Sequence, residues 1–129
     1  ELFHELVVDG KRAMLMEKCC CSLKCTTGQM VIESDTARMF RQMTSAVAHL
    51  ESLAIAHRDI KPDNFLYSRL DRDQVVKLCD FGFAQLIPAS GKLFGTYGTP
   101  IYMSPEMVGH GAHDLKTDVW SLGATFYFM

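Results

Sequence analysis

Apolar and polar positions repeat with different periods along the chain, and the changes of period mark its elements. Leu2 to Val8 and Ala13 to Met16 are apolar runs around Asp9-Gly10-Lys11-Arg12. Asp-Gly between two such runs predicts a β-hairpin. Phe40, Met43, Val47 and Leu50 then recur at spacings of three and four, which predicts one apolar helix face over Ser34 to Leu53, capped by Ser34 or Asp35. From Ile55 to Asn64 neither period holds. The segment mixes apolar residues with His57, Arg58, Asp59, Lys61 and Asp63 and contains Pro62, so it reads as a polar loop. Phe65 to Tyr67 and Val75 to Leu78 read as short strands joined by the charged turn Ser68 to Gln74. Glycine or proline recurs from Asp80 to Glu106, predicting a long loop of the kind that carries function. An apolar helix through Trp120, Leu122, Phe126 and Met129, capped by Thr117 or Asp118, ends the chain.

Composition narrows the class. The 129 residues are 48% hydrophobic and 22% charged, with nine glycines and four prolines. That is ordinary globular usage, unlike a disordered or collagen-like chain. A net charge of −2 offers no basic stripe for nucleic acid or an anionic membrane. No stretch reaches the ~20 apolar residues of a bilayer span. The five cysteines, Cys19, Cys20, Cys21, Cys25 and Cys79, are odd in number and clustered. They do not form the pattern of a secreted disulfide framework, so a reducing, intracellular and cytoplasmic setting is expected. Cys21-x-x-x-Cys25 has zinc-like spacing, but no second Cys or His pair stands at a matching interval.

The chemistry concentrates in the polar loop. Asp59, Lys61 and Asn64 supply a carboxylate, an ammonium and an amide within six residues, just before a strand. A carboxylate can accept a proton from a hydroxyl, an ammonium can neutralise developing negative charge, and an amide oxygen can ligate Mg²⁺. Asp80, after the next strand and before Phe81-Gly82, can add a second oxygen ligand.

His57-Arg58-Asp59-Ile60-Lys61-Pro62-Asp63-Asn64, Asp80-Phe81-Gly82 and Gly98-Thr99-Pro100-Ile101-Tyr102-Met103-Ser104-Pro105-Glu106 resemble, in order and spacing, the catalytic loop, metal loop and end of the activation segment of eukaryotic protein kinases. Three ordered motifs make the resemblance specific, and Lys61 with Gly-Thr-Pro favours the serine/threonine type. The resemblance implies a partial α+β protein kinase-like fold. Residues 1–18 would be small-lobe strands and hinge, and residues 19–129 the large lobe up to the first turns of its core helix. It implies ATP and Mg²⁺ as cofactors and a protein with Ser/Thr acceptors as partner. Asp59 would be the catalytic base, Lys61 the γ-phosphate contact, and Asn64 and Asp80 the Mg²⁺ ligands. Met16 would be the gatekeeper, Glu17 and Cys19 hinge residues whose backbone holds adenine, and Leu66 the floor under the purine.

The resemblance also assigns supporting roles. His57 would be a packed residue beneath Phe81, Asp118 would hold the catalytic-loop backbone, and Thr99 would contact Asp59 and Lys61. Arg58 suggests control by phosphorylation, with Thr96 as the candidate site and Ser90 and Tyr97 competing. Glu106 would lack its late arginine partner, an orphan costing ~3–5 kcal/mol if buried. No G-x-G-x-x-G occurs, and the strand lysine and helix glutamate of the family are absent. The 129 residues alone are therefore expected to be inactive and prone to aggregate, as the centre of a larger domain. The alternative is a pseudokinase-type scaffold without phosphotransfer.

Overall fold

Asp9 and Gly10 both take positive φ, 50° and 74°. Two such residues form the tight turn whose twist matches that of paired strands, which is why the hairpin closes there. In the computed structural model, which describes residues 2–26, 33–69 and 74–129, β1 is Leu2–Val8 and β2 is Lys11–Met16. Lys11 and Arg12 thus belong to the strand and not to the turn, because a two-residue turn leaves them opposite Val8 and Val7.

The chain then crosses to a three-stranded sheet. β3 (Cys21–Ser22) pairs with β5 (Phe65–Tyr67), which pairs with β6 (Val76–Leu78), all antiparallel. Val75 lies just outside β6. The turn expected over Ser68 to Gln74 falls largely on residues 70–73, outside the described residues. Beneath this sheet runs α1, Glu33–Ser52. Its buried face is Met39, Met43, Val47 and Leu50. Phe40, expected in that face, is instead 45% exposed and stacks on Phe126 with ring centroids 3.5 Å apart. The i, i+4, i+8 row from Met39 points at the sheet, and Phe40 lies one step round toward the last helix.

The core gathers Leu23, Met39, Met43, Val47, Ile60, Phe65, Tyr67, Val76 and Leu122. Ile60 anchors the loop of residues 57–64 in it. The loop itself opens with a short strand that its polar composition hid: β4 (Ile55–Ala56) pairs with β7 (Gln85–Leu86), which interrupts the long loop. After β7, Leu93 and His113 form an isolated antiparallel bridge, and α2 is Pro105–Val108.

α3 spans Lys116–Phe128. Leu115 is its N-cap residue, so Thr117 and Asp118 sit in the first turn and not at the cap. The buried face is mostly polar: Thr117, Asp118, Ser121, Leu122 and Thr125. Val119, Trp120, Tyr127 and Phe128 are at least half exposed. This inverts the usual amphipathic arrangement, because the inward hydroxyls are all bonded. Ser121 Oγ donates to the Tyr102 carbonyl at 2.7 Å, Ser104 and Thr117 share a 2.7 Å bond, and Thr125 Oγ1 donates to the Ser121 carbonyl at 2.8 Å. No described helix is long and apolar enough to cross a membrane.

Candidate active site

The loop from His57 to Asn64 carries polar side chains yet is buried: His57 0%, Arg58 7%, Asp59 6% and Asn64 5% exposed. Burying such groups costs free energy unless each finds a partner. Asp118, at the start of α3, supplies the first partners. Its Oδ2 accepts the His57 N–H at 2.6 Å and its Oδ1 the Arg58 N–H at 2.8 Å. Burial raises the Asp118 pKa, and the two N–H bonds work against that rise by favouring the carboxylate. The grip also holds Arg58 at φ 66°, a left-handed conformation. For a residue with a side chain, this costs about 1–3 kcal/mol.

His57 is fixed on both ring nitrogens. Nδ1 accepts the Asp59 N–H at 3.3 Å, so Nε2 carries the proton and donates to the Cys79 carbonyl at 3.1 Å. Burial lowers the imidazole pKa, and the Cys79 bond and the nearby carboxylates only partly oppose it. The ring meets Phe81 edge to face at 5.0 Å. His57 therefore serves to couple the catalytic loop to the Asp80-Phe81-Gly82 segment.

Around Asp59 three side chains converge. Its Oδ2 lies 2.7 Å from Lys61 Nζ and 3.2 Å from Asn64 Nδ2. Its Oδ1 accepts the Thr99 hydroxyl at 2.9 Å. Lys61 Nζ also donates to Thr99 Oγ1 at 2.9 Å, which closes the ring. Thr99 reaches the loop because Gly98 lies against it. At Gly98, φ is 103° and a Cβ would collide with the Arg58 carbonyl oxygen, so only glycine fits.

Asn64 Nδ2 donates as well to the Asp59 carbonyl at 2.8 Å, which orients the amide and leaves Oδ1 without a protein partner among the described residues. Cys79 N–H donates to the Asn64 carbonyl at 2.9 Å, placing Asp80 at the same end of the β5–β6 ladder as Asn64. Asp80 is exposed and holds φ 63°, and its Oδ1 accepts a 3.3 Å bond from the Gly82 N–H. An amide oxygen and a carboxylate are hard donors of the kind that fit a Mg²⁺ ion. No three His, Cys, Asp or Glu side chains among the described residues form a metal group, and all five cysteines are free thiols.

The remaining expected residues lie at the end of β2, in the segment that leads to β3, and on β5. Met16 ends β2 and is 57% exposed. Glu17 Oε1 and Oε2 lie 2.5 and 2.6 Å from Lys77 Nζ on β6. This lowers the Glu17 pKa, first through the Lys77 hydrogen bond. Cys20 N–H donates to the Tyr67 carbonyl at 2.8 Å. Cys19 is thus held between two anchors. Leu66 stands opposite Lys77 in the ladder. Lys77 escaped the sequence reading; only strand register, pairing Lys77 with Leu66, points to it.

Two expectations change. The Thr96 hydroxyl does not meet Arg58: it donates to the Met107 carbonyl at 3.1 Å and shares a 2.7 Å bond with His110 Nδ1. Arg58 instead donates from Nε to the Phe83 carbonyl at 2.7 Å and lies 4.2 Å over the Tyr97 ring. Glu106 is exposed, so it carries no penalty as a buried orphan.

Comparison with known proteins bears on this arrangement. Residues 2–129 match the family described as "Protein kinase domain". The chain is 38% identical over 105 residues to Serine/threonine-protein kinase DCLK1 of Rattus norvegicus, covering 81% of this chain and 24% of that protein. It is 36% identical over 101 residues to MAP kinase-activated protein kinase 2 of Homo sapiens, covering 78% and 25%, respectively. With the Drosophila melanogaster protein of the same name the identity is 39% over 97 residues, 75% of this chain and 27% of the relative. The chain spans about a quarter of the length of these relatives. A match running through the whole described site, from the hairpin to α3, places the chain in the protein kinase family.

Proposed function

We propose that the protein carrying this chain transfers the γ-phosphate of ATP to serine or threonine hydroxyls of other proteins, with Mg²⁺. The observation that carries the reading is the closed ring of Asp59, Lys61 and Thr99, with Asn64 bonded to Asp59 beside it. Phosphoryl transfer asks for positioning and charge neutralisation more than for covalent chemistry, and this ring offers both.

Asp59 orients the acceptor hydroxyl and takes its proton as that oxygen bonds to the γ-phosphorus and the bond from the γ-phosphorus to the bridging oxygen of ADP breaks, with ADP leaving. Lys61, held beside it, neutralises charge on the transferred phosphoryl group. Asn64 Oδ1 and Asp80 would hold Mg²⁺, which when bound draws charge from the phosphate oxygens. Met16, Glu17 and Cys19 form the adenine edge, with the Glu17–Lys77 pair holding that edge to β6 and Leu66 beneath the base. Residues 1–18 act as the small-lobe side and residues 19–129 as the large-lobe side. The 129 residues by themselves are expected to be inactive, since the family's phosphate-covering loop and strand lysine do not occur in them.

The test is Asp59→Asn in the full-length protein, with transfer of labelled γ-phosphate to a protein substrate as the readout. Loss of the base lowers kcat by about 10²–10⁴-fold. Unchanged turnover would remove Asp59 from the chemistry and leave the scaffold alternative standing.

A further inference from the structure

Three thiols stand close together where the chain enters the three-stranded sheet: Cys20, Cys21 and Cys25, all free. Cys20 sits at the bend before β3, Cys21 opens β3 opposite Tyr67, and Cys25 follows in a short 3-10 helix, Leu23–Thr26. Successive side chains on a strand point to opposite faces. The bend at Cys20 breaks that alternation, and the Cys20 and Cys21 thiols share a hydrogen bond. Cys20 is exposed, whereas Cys21 is half-buried and packs against the core. Cys25 turns to Ser22, whose Oγ lies 3.9 Å from its Sγ.

We propose that Cys20 and Cys21 are a peroxide-responsive pair that closes to a disulfide and loosens the adenine edge. The effect on ATP rests on the phosphotransfer reading above; the disulfide itself does not. A peroxide meets the exposed Cys20 first. The Cys20 sulfur attacks one peroxide oxygen, the O–O bond breaks, and a sulfenic acid and a water form. The Cys21 sulfur then attacks the sulfenic sulfur, its proton leaves with the hydroxyl as a second water, and the S–S bond forms. Each sulfur gives up one electron and each peroxide oxygen gains one. Burial holds the Cys21 thiol above its ordinary pKa, with Cys20 and Cys25 adding to the rise, which suits it to the second step and leaves the first to its exposed neighbour.

Neighbouring Cα atoms are about 3.8 Å apart across a trans peptide, less than the roughly 4.4–6.8 Å of an ordinary disulfide. The bond therefore closes only if the peptide between the two cysteines turns out of its strand geometry. A strained, exposed disulfide is readily reduced again, which is the behaviour of a sensor and not of a structural cross-link. The turn also costs contacts. The Cys20 N–H donates to the Tyr67 carbonyl at 2.8 Å, and Cys21 and Ser22 pair with Tyr67 and Leu66. Cys19 directly precedes the pinned residue and Leu66 lies on the paired strand, so oxidation reaches the proposed adenine site from two sides.

The experiment uses the full-length protein, reduced with dithiothreitol or treated with hydrogen peroxide, with mass mapping of the thiols and KM for ATP as separate readouts. Peroxide should yield a peptide that carries Cys20 and Cys21 and is lighter by two hydrogens, with Cys25 still open to alkylation. It should also raise KM for ATP about two- to tenfold, the effect of losing one hydrogen bond. Dithiothreitol should reverse both changes. Cys20→Ser should keep the reduced-state KM and abolish the response to peroxide, while Cys25→Ser should retain that response. If Cys20→Ser fails to fold, Cys21→Ala decides in its place. Thiols that stay free under peroxide, a cross-link from Cys21 to Cys25, or a KM shift that persists in Cys20→Ser overturns the pair. A disulfide that forms with KM unchanged overturns its hold on the adenine edge. If the reduced protein transfers no more phosphate than Asp59→Asn, the phosphotransfer reading falls, while mass mapping still decides the disulfide.

Discussion

The catalytic loop and the β1–β2 hairpin face opposite physical problems. The loop is polar and buried; the hairpin is apolar and exposed. His57, Arg58, Asp59 and Asn64 are each under a tenth exposed, and their positions are set by bonds from residues far along the chain: Asp118, Thr99 and Cys79. The hairpin has Leu6, Val7, Val8, Met14, Leu15 and Met16 about half exposed or more, on both of its faces. Its shape comes from its own ladder and the Asp9-Gly10 turn, which are local. One region is preorganised by tertiary contacts and the other is assembled from neighbours in sequence. Reacting groups must be held to fractions of an ångström, and only the first kind of region holds its polar groups that way.

The contrast can be broken most sharply at Asp118. Asp118→Ala leaves the buried His57 and Arg58 N–H groups without acceptors and releases Arg58 from its left-handed conformation. Hydrogen bonds to a charged acceptor are worth about 1.5–3 kcal/mol each, so a loss of roughly 3–6 kcal/mol in folding stability is expected from denaturant unfolding. A loss below 1 kcal/mol would mean that the loop is held by other means.

A smaller effect is expected from pH. Burial depresses the His57 pKa, so between its folded and unfolded values the unfolded chain binds more protons and stability rises with pH. The contribution is present above the unfolded value of ~6.5 and is lost as pH falls through it toward the folded value. Asp118 has the opposite sign: its pKa is raised by burial, so stability falls as pH rises from its ordinary carboxylate value through the raised one. Thermal midpoints taken across pH 5 to 8 should therefore fall toward the acid end, and the slope should flatten in His57→Gln. An equal slope in both proteins would sever the histidine from the effect.

The hairpin side should respond least. Glu17 and Lys77 are partly exposed, 27% and 35%, and a pair of this kind contributes about 0–1 kcal/mol after solvent screening. Lys77→Met should raise KM for ATP about two- to fivefold with kcat nearly unchanged, while Lys77→Arg restores it. A fall in kcat with KM constant would place Lys77 in the chemistry instead of at the adenine edge.

Much of this organisation is legible in the chain. Asp-Gly between apolar runs specifies the hairpin because positive φ at both turn positions is a local requirement. The α1 periodicity locates a helix for the same reason, and the order of the three motifs points to the residues proposed to react before any coordinates. What the pattern misses is decided at a distance. Met39 replaces Phe40 in the core because the sheet lies on one side of α1 and α3 on the other. The polar face of α3 turns inward because Tyr102, Ser104 and the loop backbone offer partners there. β4 hides in a polar segment because its pairing partner, β7, lies about thirty residues on.

The sequence by itself determined which groups are available: a carboxylate, an ammonium, an amide and a second carboxylate, at intervals set by covalent spacing. Only the tertiary structure decided that Asp59, Lys61 and Thr99 close into one ring with Asn64 bonded to Asp59, that Asp118 grips the loop behind them, and that Lys24 and Asp63 neutralise each other beside an apolar cleft. Spacing along a chain constrains neighbours within a few residues, whereas contacts spanning tens of residues are chosen by what the core buries and by which buried polar groups find partners.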